Sequence, residues 1–130
     1  MTLDALIERD GAVCVWCGRA PWRNDLTAEH IVPRARGGRT SPENLTVACR
    51  ICNKRRGTRP VVAFVRSLLD DGVSPRSDAL LTGLARLAGS DRRDLAAYGV
   101  RQLALLERLL EERPVPPLRA GSGAVPHGAV

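Results

Sequence analysis

Two Cys-x-x-Cys pairs, Cys14/Cys17 and Cys49/Cys52, stand 31 residues apart in a chain of 130 residues. In a secreted small protein an even cysteine count would suggest disulfides. The start Met1-Thr2-Leu3-Asp4 lacks the basic and apolar stretch of a secretory signal, so the reading is a soluble, cytoplasmic chain with reduced thiols. A redox Cys-x-x-Cys would occur once, beside a βαβ pattern that is not seen here. Paired knuckles suit tetrahedral Zn²⁺, each turn presenting two thiolates at about 2.3 Å from the metal. With four cysteines as ligands such an ion is closed to substrate and structural. It would tie the chain near residue 15 to the chain near residue 50 and close a loop that a short apolar core could not hold. Chemistry is therefore sought between Gly18 and Ala48.

Periodicity and punctuation give the element order. Leu3, Leu6 and Ile7 after Thr2 predict a helix over 2–9, stopped by Gly11. Leu26–Ile31 reads as a strand, Pro33 and Gly37-Gly38 as a loop, and Asn44–Ala48 as a second strand. Arg50–Arg56 reads as a short helix ended by Gly57. Beyond Pro60 the chain turns Leu- and Ala-rich, with helices expected over 61–69, from a cap at Ser77 or Asp78, and from a cap at Ser90 or Asp91. Leu80, Leu81, Leu84 and Leu87 fall on one face; Leu95, Tyr98, Gln102, Leu103, Leu106, Leu109 and Leu110 form another stripe. Residues 113–130 hold four Pro and three Gly, the composition of a disordered tail, and include His127. The division expected is 1–60, 61–112 and 113–130.

The formal charge is +6, and it is unevenly placed. Between Pro33 and Arg59 eight basic residues face one acid, Glu43, a footprint for a polyanion. Four aromatics (Trp16, Trp22, Phe64, Tyr98) are too few for a base-stacking module, and the two tryptophans are expected to pack around the knuckle. No run reaches the roughly 20 apolar residues of a membrane span.

The segment from Leu26 carries Glu29-His30, Pro33, Gly37-Gly38, Asn44-Leu45 and Cys49-x-x-Cys52-Asn53 in that order. It resembles the HNH endonucleases, in the subgroup stiffened by a four-cysteine zinc, over residues 13–57. The resemblance implies an α+β fold, a ββα-metal core with added helices C-terminal to it. His30 would be the general base that deprotonates the attacking water; neutral imidazole suits that task near pH 7. Glu29, more often Asp in the family, and Asn53 would hold one catalytic divalent metal, Mg²⁺ or Mn²⁺; Asn44 would brace the loop between the strands. Strand alternation sets Glu29 and His30 on opposite faces, so they share a site only if the strand ends or twists there. Arg34, Arg36, Arg39, Arg50, Lys54, Arg55 and Arg56 would contact DNA phosphates.

The function expected is metal-dependent hydrolysis of DNA phosphodiesters, with RNA left open as substrate. The alternative is a zinc-stabilised module that binds nucleic acid without cutting, for which the Glu29/His30/Asn53 set would be superfluous. The helices after Pro60 would pack on the core or serve a second copy or protein partner.

Overall fold

The computed structural model describes residues 1–115; residues 116–130, which hold most of the expected tail, lie outside the described part. Helix α1 spans Leu3–Asp10, capped by Thr2, whose Oγ1 accepts from Ala5 N at 3.1 Å. Strands β1 (Leu26–His30) and β2 (Leu45–Cys49) form an antiparallel hairpin with Glu29 opposite Thr46 and His30 opposite Leu45. Helix α2 (Arg50–Arg56) follows at once, so the hairpin and α2 make the ββα unit that was expected. Each strand differs from its expected bounds by about one residue, because Ile31 and Asn44 meet through a loop hydrogen bond (Ile31 N to Asn44 O, 2.9 Å) rather than as strand partners.

The loop between the strands turns on Gly38. A Cβ there would stand 1.7 Å from the Val32 carbonyl oxygen, so only glycine lets the chain fold back over Val32 and Pro33. This return brings Asn44 beneath the loop. Its amide accepts from Val32 N at 2.8 Å and donates to the carbonyls of Val32 and Arg39 at 3.1 and 2.9 Å.

Two cores flank the hairpin. Leu6 of α1 packs with Leu26, Leu45 and Val47 on one side. On the other, the knuckle residues Cys14, Val15 and Trp16 join Val61, Phe64, Val65 and Leu68 of α3 (Val61–Asp70). Leu80, Leu84 and Leu87 of α4 (Ser77–Ala88) and Leu95, Leu106 and Leu109 of α5 (Arg93–Glu112) continue this core. The helices after Pro60 thus share one apolar core with the knuckles, and the leucine stripes face it. Gly99 permits the close α4–α5 crossing, since a Cβ there would lie 2.4 Å from Ala88 N.

The expected caps of the last two helices are not used. Helix α4 starts at Ser77 after Arg76, and α5 at Arg93 after Arg92, neither with a side-chain cap. Ser90 instead builds the preceding turn, accepting from Arg92 N (3.1 Å) and donating to Glu43 Oε1 (2.8 Å). Helix α3 is capped from a distance: Val61 N donates to Tyr98 Oη at 3.1 Å and Val62 N to Gln102 Oε1 at 3.0 Å. That is why two polar residues sit in the apolar stripe of α5.

Candidate nuclease site

The cysteines meet because the knuckle is stitched to the hairpin. Val15 N donates to Val47 O at 2.9 Å, and Cys49 Sγ caps α2 by accepting from Cys52 N at 3.3 Å. The ligand atoms of Cys14, Cys17, Cys49 and Cys52 all lie within 4.8 Å of one another, and three of the four residues are buried. In a tetrahedron with bonds of about 2.3 Å, sulfur atoms stand roughly 3.8 Å apart, so the cluster is the right size for one ion. Their protonation is strongly interdependent. The hydrogen bond with Cys17 holds Cys14 well below the usual thiol range, while that with Cys14 pushes Cys17 and Cys52 well above it. A cation bound between them would favour the thiolate form of all four.

Next to this anchor, β1 ends at His30. The imidazole is partly exposed, and its Nε2 lies 2.8 Å from Thr40 Oγ1. Burial, then the charges of Arg34 and Arg56, lower its pKa from the ordinary histidine value. The ring is therefore neutral near pH 7. Asn53, half-buried on α2, donates from Nδ2 to Thr27 Oγ1 at 2.9 Å, which fixes its amide against β1.

Glu29 points the other way, as strand alternation requires. It is 4% exposed, accepts from Trp16 Nε1 at 2.9 Å, and faces Arg56 Nη1 at 3.5 Å. Burial raises its pKa, opposed by the Arg56 charge and the indole hydrogen bond.

Arg56, expected among the phosphate contacts, is 1% exposed and cannot reach a phosphate. It follows Cys49, Cys52 and Asn53 at helical spacing on the buried face of α2. Its Nη1 donates to His30 O and its Nη2 to Ile31 O, both at 2.7 Å, while Nε donates to Arg59 O at 2.6 Å. The guanidinium lies 5.1 Å from the Trp16 ring centroid and contacts Tyr98 Oη at 3.4 Å. Tyr98 Oη also reaches Ile31 O at 3.3 Å. Arg56 and Tyr98 thus hold the backbone that carries His30, a role that sequence reading missed for both; the spacing from Cys49 was the available signal for Arg56. Thr40 was also missed, and no motif marks it.

Arg34, Arg39, Arg50, Lys54 and Arg55 lie on or near the surface, Arg50 donating to Asn24 O at 2.7 Å and Arg55 facing Asp71 at 3.5 Å. Arg36 donates to Thr58 O at 2.6 Å from an otherwise exposed side chain. Trp16 packs edge-on against Phe64 at 5.1 Å, as a knuckle residue should, but Trp22 is 69% exposed and supports nothing. Among the described residues no helix is long and apolar enough to cross a membrane.

Comparison with known proteins agrees with this architecture. The chain is 33% identical over 69 residues to the CRISPR-associated endonuclease Cas9 of Corynebacterium diphtheriae, a stretch that covers 52% of this chain and 6% of that protein. The model of the HNH endonuclease family matches residues 14–69, from the first knuckle cysteine into α3. The family match and the ββα order agree over the hairpin and α2.

Proposed function

We propose that the chain is a DNA endonuclease whose residues 1–60 carry the site and whose residues 61–112 form a helical extension packed on it. The observation that carries this reading is a neutral, partly exposed His30 at a strand end fixed by Arg56 and by the Asn44-braced loop. In this reading the four cysteines hold a structural Zn²⁺, which their thiol chemistry and spacing fit.

The reaction uses the tautomer whose Nε2 proton is donated to Thr40 Oγ1, 2.8 Å away, which leaves the lone pair on Nδ1. Nδ1 takes a proton from water as its oxygen forms the new bond to phosphorus; the P–O3′ bond breaks with its electron pair on the leaving oxygen, which takes a proton from solvent. The products carry 5′-phosphate and 3′-hydroxyl ends, as the resemblance implies. A divalent cation, Mg²⁺ or Mn²⁺, would neutralise charge on the phosphoryl oxygens. Asn53 carries an amide oxygen suited to it and Glu29 a carboxylate, which here is engaged by Trp16 and Arg56.

The reading is tested by incubating supercoiled plasmid with zinc-loaded protein in Mg²⁺, in Mn²⁺ and in EDTA. Nicking or linearisation that needs added cation is expected. Salt-sensitive binding without cutting under any cation would favour the non-catalytic module.

The pH profile is a second check. Only neutral imidazole accepts the proton, so activity is lost as pH falls through the His30 pKa, which lies below 6.5. Single-turnover cleavage should rise to a plateau already reached near neutral pH. A midpoint above 6.5 would contradict His30 as the base in this environment.

A further inference from the structure

An open groove of about 600 Å³ runs between α3 and α5, with Pro60 and Leu105 among its apolar walls. Arg36, Arg66 and Arg101 line it, and none of its lining residues is acidic. It opens beside the candidate site: Arg36 lies in the loop that follows His30, and Tyr98, on the groove wall, touches Ile31 O at 3.3 Å.

The three charges are uncompensated within the described residues. No ion pair there involves Arg36, Arg66 or Arg101. Arg101 has Ala97, Tyr98, Ala104 and Leu105 at the spacings where a helical partner would stand. Arg66 has one acid at such a spacing, Asp70, and that carboxylate is engaged by Arg113 at 2.8 Å. Three cations around an apolar floor, with no acid among the lining residues, suit a polyanion.

We propose that this groove binds the phosphate backbone of the DNA flanking the scissile bond, with Arg66 and Arg101 as contacts supplied by the helical extension. The proposal rests on the nuclease reading and assigns to residues 61–112 a part in substrate binding. Such contacts confer affinity and position without reading sequence.

The test is equilibrium binding of a labelled short duplex to the full chain, across a salt series, without added Mg²⁺ or Mn²⁺. Each phosphate contact contributes about 0.9 to the slope of log K against log salt, so Arg66→Ala/Arg101→Ala is expected to lower that slope by about 1.8. Arg92→Ala/Arg93→Ala removes two exposed charges from the start of the same helix and controls for net charge. A slope lowered in the first pair and preserved in the second supports the proposal, with thermal melts verifying that both variants fold. Equal slopes in both pairs, lowered or unchanged, overturn it while leaving the nuclease reading intact if plasmid is still cut. A parent chain that neither binds nor cuts DNA overturns both.

Discussion

Replacing Cys49 by Ser is expected to unfold the protein around its knuckles and to remove DNA binding and cutting together. Cys49 sits where three supports meet. It ends β2, its Sγ caps α2, and it stands opposite Leu26 in the hairpin while joining the four-sulfur cluster. Structural zinc contributes about 10–16 kcal/mol in peptide systems. Whole domains are stable by only about 5–15 kcal/mol, so loss of the ion removes an amount comparable to the whole. Far-UV circular dichroism and zinc content per chain measure the outcome. A Cys49→Ser protein that melts cooperatively near the parent temperature, without metal, would show the cluster to be dispensable.

Arg56→Met should be the most damaging change outside the cysteines. The guanidinium satisfies the carbonyls of His30, Ile31 and Arg59 and faces the Glu29 carboxylate in the interior. Breaking a buried pair by removing one partner costs about 3–5 kcal/mol, because the other charge is left in place. At roughly 4 °C per kcal/mol, where the ranges for smaller and larger domains meet, a fall of about 10 °C or more in Tm is expected. Arg55→Ala, next to it on the exposed side, should change Tm little. Glu29→Gln in the Arg56→Met background should cost less than the sum of the two single changes, since they share one interaction. Additive effects would mean that the pair is not coupled. If Glu29 serves only as the anion for Arg56, Glu29→Gln alone leaves the cation concentration for half-maximal cleavage unchanged; a raised requirement would make Glu29 a ligand.

The ββα order was legible because its signals are local. Two knuckles, Pro33, a glycine pair and Gly57 mark where each element stops, and the observed helix α2 keeps its expected bounds. Site positions were legible only in part. His30, Asn44 and Asn53 could be singled out, but the inward turn of Glu29 depends on partners 13 residues before it and 27 residues after it, Trp16 and Arg56. The same cause hid Arg56, since a basic residue in a basic run gives no sign that it points inward until the hairpin is folded against it. Tyr98 and Gln102 were read as parts of an apolar stripe, and their capping of α3 appears only when α5 is docked. Local signals gave the elements, and polar contacts between distant segments decided which side chains are exposed.

In the proposed reaction His30 takes the proton from the attacking water. The direct measurement is single-turnover plasmid cleavage by the parent chain and by His30→Ala, with zinc content and melting temperature matched. His30→Ala is expected to keep its zinc, its fold and its DNA binding while cleavage falls by about 10²–10⁴-fold, the usual contribution of general-base catalysis. Cleavage at the parent rate in a folded, zinc-loaded His30→Ala protein would contradict it.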